Sequence, residues 1–243
     1  MHLSASAMIL SVRAHGEHGA IVRALTRDDG VQPGYVRGGR SRALRPVLLP
    51  GNTVVGAWRA RTSDQLPALT VELATTLAPL HAEPLAAAAL AWVTALTASA
   101  LPEAQGYPRV HDALAGLLGA IAAAASARDW AAGCARYELV LLAELGFGLD
   151  LDRCVATGGG DDLAYVSPRS GAAVSRAAGQ GHADRLMPLP AFLRLGGEAA
   201  WDDVFAALRI TGHFLARDLL IGRAADVLPA RARLVDLLKR AVA

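Results

Sequence analysis

The stretch that decides the fold is 68-ALTVELATTLAPLHAEPLAAAALAWVTAL-96, because the spacing of its apolar residues changes midway. Leu69, Val71 and Leu73 alternate with Ala68, Thr70 and Glu72, the period of a strand with one buried face. Beyond Leu80 the period lengthens to about 3.6. Pro84 stands at the one helical position that tolerates proline well, and Leu85, Ala89, Trp92, Val93 and Leu96 then share a face. The chain therefore reads as α+β and multi-domain, with a β domain over residues 1–80 and a helical domain over 81–243.

Toward the N-terminus, short apolar runs at 7–12, 20–26 and 54–58 precede the 68–73 run. Turn signals separate the runs at Asp29-Gly30, Gly38-Gly39 and Pro50-Gly51. Pro33 cannot donate to a ladder, so it marks a third strand as an edge or a bulge. Five short strands in 80 residues suggest a small β-barrel, for which the OB-fold is one solution.

Toward the C-terminus, Pro108 opens a second helix with Val110, Leu114, Leu117, Leu118 and Ile121 in line. A third, from about Ala127, aligns Trp130, Cys134, Tyr137, Leu141 and Leu145 and stops at Gly146. Residues 147–187 break the pattern with Gly158-Gly159-Gly160, Pro168 and Gly171 around a β-like run, Leu163 to Val166, as an inserted ribbon would. Helical spacing resumes at about 199 through Trp201, Phe205, Leu208, Gly212, Leu215 and Leu219, and a last helix covers about 229–242.

With 53% hydrophobic residues the chain can fill a core. Arginine supplies 23 of its 24 basic residues, Lys239 being the exception. The net charge of +2 hides an asymmetry: residues 1–61 carry +6 and the remaining 182 carry −4. A polyanionic partner for the first segment follows from that distribution. Cys134 and Cys154 are too few for a disulfide framework and fit a reducing compartment, and the first residues lack the pattern of a secretion signal. The Ala-rich run 84–101 lacks a basic flank and reads as a buried helix, so no membrane span is expected.

The densest chemistry lies in 36-VRGGRSRALR-45, where Arg37, Arg40, Arg42 and Arg45 surround a Gly-Gly bend. Guanidinium forks match phosphate oxygens, and glycine lets a backbone approach closely. Arg23, Arg27, Arg59 and Arg61 add charge on the flanking strands. Tyr35 and Trp58 could stack on bases. The apolar and small neighbours of Trp58 at 54 and 56 point instead to core packing for that residue. Cys154, His182 and Asp161-Asp162 lack the tight spacing of zinc ligands, and no hydrolase, P-loop or dinucleotide signature is present, so neither a cofactor nor an enzymatic activity is expected.

The order of a basic barrel, VRGGRSRALRPVLLPG at 36–51, a helical bundle, YELVLLAELGFGLDLDRC at 137–154 and AYVSPRSGAAVS at 164–175 resembles the RecO family of bacterial recombination mediators. The resemblance spans essentially the whole chain. It implies an N-terminal OB-fold, a helical domain carrying a zinc-ribbon-like insertion, and a cytoplasmic, nucleoid-associated protein without covalent chemistry. It further implies binding to single- and double-stranded DNA, strand annealing, and work with RecR and single-stranded-DNA-binding protein in loading RecA. By the same resemblance Arg37, Arg40, Arg42 and Arg45 are DNA contacts, with Arg23, Arg27 and Arg59 as additions. Many members hold zinc on four cysteines, but this chain has Cys154, Thr157, Ser175 and Ala178 at that spacing, so the ribbon is expected to lack zinc and to depend on packing through Tyr165, Val166, Leu186 and Pro188. Two other functions compete: an adaptor whose basic barrel engages an acidic protein or peptide, and a hydrolase using Asp161, Asp162 and His182.

Overall fold

The computed structural model describes residues 2–62, 64–123 and 126–242. Contacts group the chain into two compact units, Met1–Leu118 with Pro229–Leu234, and Gly119–Leu228 with Val235–Ala243. The residues expected to open the helical domain, 81–118, thus group with the barrel.

The first unit is built on strands β1 (His2–His15), β2 (Gly19–Thr26), β3 (Gly30–Val36), β4 (Thr53–Arg59) and β5 (Ala68–Thr75). They close into a barrel in the order β1-β2-β3-β5-β4. All neighbours are antiparallel except β3 and β5, which run parallel and meet at Tyr35 and Ala68. A five-stranded ring of this kind is the expected OB-type barrel. Closure depends on the length of β1, which pairs with β4 through His2–Met8 and with β2 through Ala7–His15. A register shift between Ile9 and Ser11 bends the strand between its two partners. Pro33 lies where β3 is paired to β2 but not to β5, an edge-like position that needs no second donor.

Trp58 fills the barrel, fully buried among Ile9, Val22, Ala24, Val54 and Leu69. Its ring fits because two facing positions have no side chain: a Cβ at Gly56 would lie 2.4 Å from the indole and one at Gly34 3.0 Å from its Nε1. The alternation read in β5 holds at Leu69 and fades outward. Val71 is half-buried, and Leu73 is 40% exposed where the inner row runs past the filled centre.

Helix α1 (Pro84–Ala100) buries Ala89, Trp92, Val93 and Leu96 as its spacing requires. Helix α2 (Pro108–Ala123) buries Val110, Leu114, Leu117, Leu118 and Ile121. No helix among the described residues is long and apolar enough to cross a membrane.

In the second unit α3 (Ala127–Glu144) is capped by Ser126, whose hydroxyl accepts from the Arg128 amide at 3.3 Å. The insertion expected at 147–187 is a four-stranded sheet of β6 (Asp150–Cys154), β7 (Leu163–Val166), β8 (Ala172–Ser175) and β9 (Met187–Pro188), ordered β6-β8-β7-β9. After a short turn, α4 (Phe192–Leu195), comes α5 (Trp201–Phe214), which continues as a π-helical turn over Leu215–Leu219. The fully buried carboxylate of Glu138 on α3 accepts from the Thr211 hydroxyl on α5. The chain ends in α6 (Leu228–Val242), whose residues Pro229–Leu234 group with the first unit.

The sheet is braced from α5 and the π-helical turn that follows it. His213 Nε2 lies 2.9 Å from the Pro168 carbonyl, and Arg217 donates to the carbonyls of Pro168 at 2.6 Å and Arg169 at 2.9 Å. Asp218 steadies Arg217 through contacts of 2.6 and 2.7 Å. Of the residues expected to pack the ribbon, Val166 is buried, Tyr165 and Leu186 are half-buried around Gly179, and Pro188 is exposed.

Candidate nucleic-acid interface

The segment after β3 turns sharply because Gly38 takes a left-handed φ of +70°, a conformation an L side chain resists. It is not a loose loop. The Ser41 amide donates to Gly38 at 2.8 Å, that of Arg45 to Ser41 at 3.0 Å and that of Leu48 to Leu44 at 3.0 Å. Its far end is tied to the barrel by Asn52, which is fully buried. The Asn52 amide donates to the carbonyls of Pro46 (2.8 Å) and Val47 (3.1 Å), while its Oδ1 accepts from the Leu77 amide at 2.8 Å. A turn residue after Pro50-Gly51 looks ordinary in the sequence, so Asn52 carries no local sign of this role.

These turns present Arg37, Arg40, Arg42 and Arg45 to solvent. Arg37, Arg40 and Arg45 line one open depression of ≈ 530 Å³ together with Glu17, His18 and Ser41. Arg40 is pre-positioned: its Nη1 donates to the carbonyls of Glu17 (3.0 Å) and Gly16 (3.4 Å) in the β1–β2 turn. Arg37, Arg42 and Arg45 form no ion pair among the described residues, so their charge is available to a polyanion.

The three additional arginines differ. Arg59 is exposed, and strand register aligns Arg13, Ile21, Tyr35, Ala68 and Arg59 in one row on the outer face of the barrel. Nothing in the sequence marks Arg13 as outward-facing, because the bulge in β1 resets the alternation on which its facing depends. Tyr35 lies half-buried over Gly19 and edge-on to His15 at 5.9 Å.

Arg23 and Arg27 are engaged. Arg23 Nη1 lies 3.0 Å from Glu103, and Arg27 grips Asp112 through contacts of 2.9 to 3.2 Å. Hydrogen bonds from Arg27 and then His111 hold the Asp112 carboxyl down at about 2, so this pair stays ionised at neutral pH. Glu103→Gln would free Arg23 on the same outer face. The expected result is tighter oligonucleotide binding with a steeper salt dependence, by about 0.7 in log–log slope for one added phosphate contact on a single strand. Fluorescence anisotropy at several salt concentrations measures both, and an unchanged slope would show that Arg23 does not reach the DNA.

Cys154, Thr157, Ser175 and Ala178, the four positions at which the family resemblance implied a zinc set, are close together in space. Ser175 N–H donates to Cys154 Sγ at 3.3 Å, and the Ala178 amide donates to Ser175 Oγ at 3.3 Å. Hydrogen bonding by Thr157, then by the Ser175 backbone and hydroxyl, pulls the Cys154 thiol down to about 6 against the effect of burial. One thiol, two hydroxyls and a methyl group do not make a zinc donor set, so this site does not fit the metal. Among the described residues no group of three or more His, Cys, Asp or Glu is arranged to hold a metal ion. Asp162 is paired with Arg176 at 3.3 Å, and His182 is exposed.

Residues 1–77 match the family described as Recombination protein O N terminal, and residues 81–224 match Recombination protein O C terminal. The chain is 46% identical over 237 residues to a DNA repair protein RecO from Caulobacter sp. (strain K31), covering 97% of this chain and 96% of that protein. It is 44% identical over 244 residues to a DNA repair protein RecO from Rhodospirillum centenum, covering 99% and 96% respectively. A third such protein, from Cereibacter sphaeroides, is 46% identical over 233 residues, 96% of each chain.

Proposed function

The chain belongs to the RecO family, which gives it a role in DNA repair and recombination, and on that premise we propose that it binds and anneals DNA strands through the Arg37–Arg45 edge of its barrel. The observation that carries this reading is the group of guanidinium groups without carboxylate partners on a braced, solvent-facing segment. Annealing requires that two polyanions be neutralised while their bases stay free to pair. Arginines that contact phosphates without reading base edges meet that requirement. The same contacts serve double strands, whose backbones offer the same phosphates. Separate family matches on 1–77 and 81–224 support a boundary near residue 80. In this reading DNA lies on the barrel and partner proteins on the helices.

The partners in this reading are RecR and single-stranded-DNA-binding protein, with RecA loading as the outcome and the nucleoid in the cytoplasm as the place of work. A cavity of ≈ 610 Å³ that sets Pro84, Ala87, Ala91 and Pro229 beside His81 and Arg233 supports contact with a short apolar segment that carries negative charge. The test is annealing of complementary oligonucleotides with and without the single-strand protein. Acceleration in both conditions is expected. No acceleration on bare strands would remove the annealing reading.

A further inference from the structure

Beyond Ile9, strand β1 is paired in the sheet to β2 alone, and the inward side of this stretch is only partly covered. Val12 pairs with Val22 and Ala14 with Ala20, and these partners face the barrel interior. The pairing of β4 with β1 ends at Met8, short of Val12 and Ala14. The segment 39–50 partly roofs them, leaving an open cavity of ≈ 410 Å³ whose apolar lining includes Val12, Ala14, Leu48, Leu49 and Pro50. Val12 is 38% exposed there. The volume falls in the range of small-molecule sites, roughly 300–1,000 Å³.

Arg40 and Arg45 line this cavity and also the polar depression beside it. One side of the pair is therefore apolar and concave, and the other is cationic and open. An unpaired nucleotide has the matching polarity, with an apolar, polarisable base joined to an anionic phosphate. We propose that the cavity receives one unstacked base of a single strand, while Arg40 and Arg45 hold the phosphates on either side of it. The inference rests on the arginine edge being the DNA site and adds a preference: a base stacked within a duplex cannot enter, so the pocket contributes only to single-strand binding.

The pocket can be closed without touching the arginines. Ala14→Phe places an aromatic ring in it from an exposed strand position, where aromatic residues are well tolerated. Val12→Asn makes the lining polar at similar volume and serves if the larger side chain disturbs folding. With the full-length chain, affinities are measured for a poly-dT oligonucleotide and for an abasic oligonucleotide of the same length. The unmodified protein is expected to bind poly-dT about tenfold more tightly than the abasic strand. Ala14→Phe should remove that difference by weakening poly-dT binding alone, and Val12→Asn should reduce it in the same direction. Equal binding of the two strands by the unmodified protein would overturn the base pocket and leave the arginine edge standing. So would wild-type behaviour of both variants, or equal losses on both strands. Failure of the unmodified protein to bind either strand would overturn the arginine edge, and the pocket with it.

Discussion

Replacing Arg37, Arg40, Arg42 and Arg45 together by alanine is expected to weaken single-strand binding by nearly three orders of magnitude at about 0.1 M salt. The estimate follows from counterion release: each phosphate contact on a single strand contributes about 0.7 to the slope of log affinity against log salt, hence about 0.7 log units at that concentration and about 2.8 for four. All four side chains are exposed, so the fold should tolerate the change. Arg40 is the one whose loss disturbs local structure, because it also binds the Gly16 and Glu17 carbonyls. A parallel set of four lysines separates charge from geometry. It should keep most of the slope, because lysine retains the charge, while losing the forked contacts that only guanidinium makes. Anisotropy titrations of the two sets against the unmodified protein measure the effect, and an alanine set that binds like the original would place the DNA elsewhere.

Trp58→Ala should cost about 3–5 kcal/mol, at the upper end for a core truncation. The cost depends on how far the surroundings can collapse, and here they can collapse little. Gly34 and Gly56 face the indole with no side chains to move into the vacated space. A domain with about 5–15 kcal/mol of total stability would lose a large share of it. Urea unfolding followed by circular dichroism measures the loss, and Trp58→Phe, which keeps a ring in the barrel, should be milder. A shift below about 1 kcal/mol for Trp58→Ala would mean that the barrel does not depend on this residue.

Much of the fold was legible because its signals are local. The switch of period after Leu80, the turn dipeptides and the helix-opening prolines at 84 and 108 mark their elements within a few residues, and β7 spans the expected Leu163–Val166. The arginine segment was legible for the same reason, its four guanidinium groups lying within ten residues. Pairing across long separations was not legible. Nothing near Arg27 announces Asp112, 85 positions away, and nothing near Arg23 announces Glu103. One unpaired residue in β1 resets the alternation and moves Arg13 onto the outer row. The bracing of the ribbon is likewise distant, since Arg217 reaches Pro168 across 49 positions. Asn52 carries no local signal, because a buried hub and an ordinary turn residue look alike in one dimension.

The electrostatics of the barrel follow from these distant pairings. Of the seven arginines expected to meet DNA, Arg23 and Arg27 already have carboxylate partners. Arg40 is held by carbonyls that leave its charge uncompensated. The arginines without carboxylate partners thus cluster on the segment from Arg37 to Arg45, and the proposed DNA path would continue over Arg59 and Arg13 on the outer row.

The central claim is that this edge binds DNA by neutralising phosphates. It is tested most directly by the affinity of the unmodified protein for a poly-dT oligonucleotide at a series of salt concentrations. With four or more phosphate contacts, log affinity should fall linearly with log salt at a slope of about −2.8 or steeper. A slope near zero, or no binding even at low salt, would contradict it.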